Sequence, residues 1–269
     1  MSSPKNIFTF LRLRGDTLGD NLWVQLAKTR FLLNYIRGKT GPCGLFLCRD
    51  VTLRTSYGRF RCRKGTNDLD IAYEGFESEI LSVFKPKSGD NVVDCGAHIG
   101  KYTILTSKLV GKDGHVVAIE PSLENYEILL VNLRLNRCEN VAPMNCAAWR
   151  DDEEVILWVS ESMATHSLKP NWDRERSLLE ANERESVKVR GLKLDDLLQS
   201  MVRIDWLKLD VEGSELDVLL GATESISERK IHNIIVEASD ESSLDFLEKN
   251  GYLLTRISTL RPYYHAKLK

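Results

Sequence analysis

The chain has 269 residues, 42% of them hydrophobic, which is enough apolar material for one substantial core. Its formal net charge of −2 hides an asymmetry: residues 1–64 hold thirteen Lys/Arg against three Asp, so the remainder is acidic. No apolar run is long enough to span a bilayer as a helix, and the six cysteines form no Cys-x-x-Cys pair, so neither a membrane-spanning helix nor a zinc finger is expected.

The basic end points to an anionic partner: nucleic acid, an anionic membrane surface, or a phosphorylated or sulfated substrate. The bland alternative is a solvated face that balances acidic helices elsewhere. No apolar leader core precedes it, and the expectation is a cytoplasmic protein with reduced thiols. Leu22 to Ile36 is expected to be a helix, with Leu22, Trp23, Leu26, Ala27, Leu33 and Ile36 at near-helical spacing. It reads as a helix packed on the sheet, or as a basic amphipathic helix that covers the substrate cleft or makes peripheral membrane contact. A hairpin is expected next, with strands near Val51–Thr55 and Arg59–Arg63 joined by Ser56-Tyr57-Gly58. Alternation puts Arg59, Arg61 and Arg63 on one face, where they either grip phosphate or line the solvated side of an edge hairpin. Residues 1–75 thus form a basic N-terminal helix and hairpin extension, a cap, ahead of a main domain over 76–269.

From Phe76 the pattern becomes regular: a helix to Phe84, strand 91–95, helix 101–109, strand 115–119, helix 123–136 and strand 140–147. An insertion follows, with strands near 155–160 and 186–189. Strand 204–209, helix 214–220, strand 231–237, helix 242–249 and a terminal strand pair near 252–257 and 262–267 complete the chain. Strands alternating with helices indicate an α/β fold with a parallel sheet and right-handed crossovers.

The first strand carries the sharpest signal. Asn91-Val92-Val93-Asp94-Cys95-Gly96-Ala97-His98-Ile99-Gly100 is an apolar run ending in Asp-x-Gly-x-x-x-Gly, a strand–turn–helix suited to a nucleotide-like ligand. The next strand, His115 to Ile119, ends in Glu120-Pro121, where a carboxylate can accept hydrogen bonds from two ribose hydroxyls. A dinucleotide fingerprint would carry a glycine where Ala97 stands, and Asp94 would repel a pyrophosphate. Asp94 suits instead the ammonium of a zwitterionic amino-acid moiety, which favours S-adenosyl-L-methionine, a sulfonium without phosphate. A structural turn with a chance Gly-x-x-x-Gly is the alternative.

A second run, Ile204-Asp205-Trp206-Leu207-Lys208-Leu209-Asp210-Val211-Glu212-Gly213-Ser214-Glu215, is again an apolar strand ending in a carboxylate, then a glycine and a helix. With Asp94 to Gly100 and Glu120-Pro121, this Lys-x-Asp-x-Glu-Gly-x-Glu run resembles the FkbM family of S-adenosylmethionine-dependent methyltransferases. The likeness continues through Asn125, Leu129, Asn132, Asn136 and Asn140-Val141, and through Leu194-Asp195-Asp196-Leu197-Leu198. It covers roughly residues 70 to 255. His98 departs from it, since the family more often has Asn there, as does Arg190-Gly191-Leu192-Lys193, where a Thr is common. The resemblance implies a Rossmann-like class I methyltransferase fold: a mostly parallel seven-stranded sheet with helices on both faces, here with the N-terminal extension added. It also implies O-methylation, often of sugars or natural-product hydroxyls. The donor site is then expected to comprise Asp94, Gly96, Ala97, His98, Gly100, Tyr102, Thr103, Glu120, Pro121, Asn125 and Ala147.

Asp94, Glu120, Asp210 and Glu237 all fall at strand ends and should converge on one rim. Asp210 is the first candidate for the base that takes a proton from an acceptor hydroxyl, with Glu212 as neighbour. Alternatively Asp210 and Glu237 bind a divalent metal that acidifies the hydroxyl. Capping of the following helix is the competing role for Glu212 and Glu215, and Lys208 reads as a buried strand lysine paired to an acid. His98, in the turn, and His166, in the insertion, are further candidate bases, His166 the better placed, with an ordinary structural histidine as the alternative for each. An Asn/Asp-Pro-Pro-Tyr/Phe loop, typical of exocyclic-amine methylation, is replaced by Asp210-Val211-Glu212-Gly213. The resulting expectation is transfer to a hydroxyl of a sugar, glycolipid or small metabolite, some of them anionic. The rival expectations are an RNA methyltransferase that uses the basic segment, and a donor-binding module without turnover.

Overall fold

The computed structural model describes residues 13–36, 47–73, 78–159, 166–169, 185–238, 240–259 and 261–269. Its centre is a seven-stranded sheet. In chain order the strands are β4 (Asn91–Cys95), β5 (His115–Ile119), β6 (Val141–Met144), β10 (Ile204–Leu209), β11 (Ile231–Glu237), β12 (Tyr252–Arg256) and β13 (Tyr263–Leu268). They lie in the spatial order β12-β13-β11-β10-β4-β5-β6. All pairings from β11 to β6 are parallel, whereas β13 runs antiparallel to both β11 and β12. Strands covered on both faces read as nearly continuous apolar runs, and all six residues of β10 are buried. From β4 the chain steps outward through β5 to β6, then returns to the other side of β4 as β10. That reversal makes the carboxyl ends of β4 and β10 the switch point of strand order, where open α/β sheets bind their ligands.

Helices α4 (Lys101–Val110), α5 (Leu123–Asn136), α7 (Glu215–Leu220) and α9 (Glu241–Lys249) follow β4, β5, β10 and β11. One core joins Val93, Cys95, Ile119, Leu207, Leu209 and Val236 to Val218, Leu219 and Leu247. On the opposite face Val92, Val116, Trp206 and Ile235 pack with Tyr102, Phe84 and Tyr263.

The expected strand over 140–147 is broken. It ends at Met144, and Asn145 donates to the carbonyls of Glu120 and Pro121 at 2.9 and 3.1 Å, turning the chain out of the sheet. Strand β7 (Ala147–Trp149) then starts a separate three-stranded sheet, parallel to β9 (Ser186–Lys193), which is antiparallel to β8 (Glu153–Trp158). Helices α2 (Asp68–Ala72), α3 (Ser78–Val83), α6 (Leu194–Leu197) and α8 (Thr223–Ser227) are short. Of these, only α3 falls where periodicity placed a helix; the others are too short to display a period.

The N-terminal elements are β1 (Arg14–Gly15), α1 (Leu18–Ile36) and the antiparallel hairpin β2 (Val51–Arg54) and β3 (Arg59–Cys62). Strand β3 is an edge whose open backbone groups are met by a helix. The Asn132 carboxamide accepts from the Arg61 amide at 2.6 Å, and Asn136 both accepts from Arg59 N and donates to Arg59 O. Phe60, Cys62, Leu53 and Val24 share one core with Ile99, Ile104, Leu129 and Leu133 of the main domain. The arginine row is neutralised by acids: Arg54 and Arg59 meet Asp16, Arg61 meets Asp50, and Arg63 meets Asp68. Leu22, Leu26 and Leu33 of α1, read as a packing stripe, are exposed instead.

Candidate active site

The two sequence motifs meet because β4 and β10 are neighbours. Asp210 N donates to Cys95 O at 3.2 Å, and a Cβ built on Gly96 would stand 1.9 Å from Asp210 O. Gly96, with φ of 79°, is therefore required both by conformation and by the approach of the second loop. The turn is closed by Gly96 N and Ala97 N, both donating to Ile119 O, and by Gly100 N to Ala97 O. His98 sits at φ of 50°, a left-handed conformation that Asn and His tolerate better than most side chains.

Glu120 leaves the end of β5 with its carboxylate framed by nitrogen donors. His98 N reaches one oxygen at 2.8 Å, and Ser122 N and the Asn125 amide reach the other at 3.0 and 3.5 Å. Burial raises its pKa, and the His98 and Ser122 amides oppose that rise. Asn125 in turn accepts from Arg63 at 2.7 Å, and Arg63 is clamped by Asp68 through three contacts of 2.8 Å. The chain Asp68–Arg63–Asn125–Glu120 thus links the N-terminal extension to the carboxylate at the end of β5. Periodicity alone does not show it.

Asp94 is buried behind the turn, where it accepts from Thr103 Oγ1 at 2.6 Å and lies 3.8 Å from Lys208 Nζ. Thr103 is fully buried, and Tyr102 packs edge-on to Phe84 with Lys208 Nζ 4.8 Å from its ring centre. Lys208, a buried cation, also donates to Asp210 Oδ2 at 3.0 Å, so one ammonium ties the turn acid to the second-motif acid. Ala147 is buried in the small sheet opposite Gly191, apart from these contacts.

Asp210, Glu212 and Glu237 converge, with one carboxylate oxygen from each within 4.8 Å of the others. Tyr263 Oη lies 3.3 Å from Asp210 and 3.2 Å from Glu237, bridging two acids from a strand that sequence reasoning left without a role. Burial and the neighbouring Asp210 raise the pKa of Glu237, while Lys208 and the hydrogen bond from Glu237 hold Asp210 low. The two pKa values are thus pushed apart in opposite directions, as expected of close carboxylates. The loop that follows is shaped from within: Glu212 and Gly213 both have positive φ, and Glu215 accepts from Val211 N and Gly213 N. Glu215 is thus a buried loop brace, and burial pushes its pKa up to about 7.

His166 belongs to this neighbourhood. The adjacent Ser167 donates to Glu212 O at 2.7 Å, and His98 and Arg63 are close enough to act on the imidazole electrostatically. Burial above all, then those two groups, lowers its pKa to about 4, so at neutral pH it is uncharged and a weak base.

A mostly parallel sheet with this strand order, a glycine turn after its first strand and a carboxylate after its second is the Rossmann-like fold of class I methyltransferases. The family model described as "Methyltransferase FkbM domain" matches residues 94–254. The chain belongs to the FkbM methyltransferase family. It is 28% identical over 215 residues to "Methyltransferase sdnD" of Sordaria araneosa, covering 69% of this chain and 82% of that protein. It is 26% identical over 180 residues to "Methyltransferase 1" of Beauveria bassiana (strain ARSEF 2860), covering 60% and 71%. Among solved structures, the FkbM methyltransferase of Methylobacillus flagellatus KT aligns with a TM-score of 0.49 at 17% identity. That alignment takes in 97% of this chain and 58% of the other, so this chain spans less than two thirds of its length.

The methyl donor of this family is S-adenosyl-L-methionine, and the residues present fit it. Residues 96–100 carry no Lys or Arg to meet a phosphate, and the Glu120 carboxylate keeps lone pairs beyond those met by its N–H donors.

Proposed function

We propose that the protein transfers a methyl group to a hydroxyl of a sugar, glycolipid or small metabolite. The observation that carries this reading is the convergence of Asp210, Glu212 and Glu237 on the rim that holds the donor turn. When bound, the donor supplies a methyl group already activated on a sulfonium. What remains for the chain is to align the acceptor oxygen and receive its proton. Asp210, held ionised by Lys208, accepts the hydroxyl hydrogen bond and then its proton as the methyl group is transferred, while Glu237 and Tyr263 hold the Asp210 carboxylate in place. Glu212 and His166 flank the acceptor. In this reading Asp94, Gly96, Ala97, His98, Gly100, Glu120 and Pro121 form the donor side, with Tyr102, Thr103 and Asn125 supporting it from behind. Residues 1–75 cap it through Arg63.

A divalent metal held by the three carboxylates is the second reading, favoured by their separation of at most 4.8 Å. The RNA reading draws on the positive excess of residues 1–64. Against it, Arg54, Arg59, Arg61 and Arg63 already face acids.

The test is methyl-labelled donor incubated with panels of glycans, hydroxylated metabolites and RNA, with wild type and Asp210→Asn side by side. The variant is expected to bind donor normally and to lose turnover by about 10²–10⁴-fold. Undiminished turnover removes Asp210 from the proton-accepting role. Activity abolished by a chelator and restored by Mg²⁺ moves the role to a bound cation, and labelled RNA alone overturns the small-hydroxyl reading.

A further inference from the structure

Helix α1 is built inside out. At about 100° per residue, Leu18, Leu22, Leu26 and Leu33 fall within one arc of about 80°. All four are in water, at 92%, 59%, 44% and 48% exposure. The opposite side, packed on the hairpin, carries Val24 and Ala27 but also two buried charges, Asp20 and Lys28. Both charges have partners: Thr17 and Arg49 hold Asp20, and Lys28 Nζ donates to Leu13 O at 2.5 Å. Packing on a core would orient such a helix the other way, so its outer stripe is suited to an apolar environment outside this chain.

The charge near it says which. Arg14 in β1, just before the helix, and Arg30 within it are both exposed, and residues 1–64 carry the chain's positive excess. A row of exposed leucines with cations close by suits a helix lying in a lipid interface, with its apolar face among the acyl chains and its cations at the phosphates. Nucleic acid would use the cations and leave the leucines stranded. A second copy of this chain would bring the same positive charge against itself. We propose that α1 seats the protein, leucine face down, on an anionic phospholipid bilayer. The contact is peripheral, since no helix among the described residues is long and apolar enough to cross a membrane.

The full chain would be pelleted with vesicles of phosphatidylcholine alone and of phosphatidylcholine with phosphatidylglycerol, with no methyl donor added. Binding to the anionic vesicles is expected, weakening as salt rises. The Leu18→Ser, Leu22→Ser, Leu26→Ser variant should lose at least about tenfold in affinity while keeping its donor affinity by calorimetry. If that variant fails to bind donor, the pair Arg14→Glu, Arg30→Glu decides in its place, and it should lose the preference for anionic lipid. The proposal is overturned by a wild-type chain that pellets with neither vesicle, or by a leucine variant that pellets as well as wild type. It is also overturned by a dimer that the serines dissolve in the absence of vesicle binding. Each of these results leaves the methyl-transfer reading untouched.

Discussion

Glu120 shows how much of a buried carboxylate's behaviour lies in its neighbours. Its carboxylate is legible in the sequence as the acid after the second strand, but the His98, Ser122 and Asn125 donors that aim it are not. If it is the proposed ribose acceptor, replacing it with Ala removes that acceptor and orphans two amides, so donor affinity should fall by about 1.5–3 kcal/mol in a calorimetric titration. Unchanged affinity would move the ribose elsewhere. Glu215 offers a pH test of the loop it braces. Its pKa is raised from 4.5 to about 7 by burial, so the folded chain binds this proton more tightly than the unfolded one. Its contribution to stability is full below about pH 4.5 and is lost as pH rises to about 7, on the order of 3 kcal/mol. His166, lowered from 6.5 to about 4, acts with the opposite sign between those values. The comparison must therefore be with Glu215→Gln in urea melts at several pH values. Relative to wild type the variant should gain stability from pH 4.5 to 7, and a constant difference would refute the buried, titrating carboxyl.

Among the elements, the β4–α4 turn carries the tightest constraint. Gly96→Ala would place a methyl 1.9 Å from Asp210 O in a residue at φ of 79°. A loss on the order of 3 kcal/mol is expected in denaturant unfolding, together with weaker donor binding, because the turn and the Asp210 loop must separate. A variant as stable as wild type would mean that the two loops do not touch. The asparagines that mark the family likeness prove to be element connectors. Asn132 and Asn136 of α5 substitute for a strand partner of β3, and Asn140 gathers the carbonyls of Ser107, Gly111 and Gly114. Asp195 likewise caps α8 by accepting from the Glu224 and Ser225 amides. Sequence reasoning listed these positions as likeness, and only the packing explains the chemistry each supplies.

For the whole molecule, the question is whether the basic extension is an appendage. Its Val24, Leu53, Phe60 and Leu69 are fully buried, in one cluster with Ile99, Ile104 and Leu129. Each such side chain contributes about 1.5–3 kcal/mol, several of them together a large part of a typical domain stability of about 5–15 kcal/mol. Residues 76–269 expressed alone are therefore expected to aggregate or to unfold without a cooperative transition by calorimetry. A truncated chain that melts cooperatively and binds donor as the full one does would make the extension dispensable.

The sequence by itself determined the central parallel strands, the winding and the two carboxylate-tipped loops, while the break after Met144 that starts the small sheet did not show in it. Strands buried on both faces must be apolar throughout, and a turn that meets a nucleoside must be small and followed by an acid. Tertiary structure alone decided three things. Tyr263 reaches Asp210 across 53 residues because β13 inserts antiparallel beside β11. Arg63 reaches the Glu120 side because β3 docks on α5. Helix α1 turns its leucines outward because periodicity states which residues share a face, while the side on which the core lies is set by what packs against it.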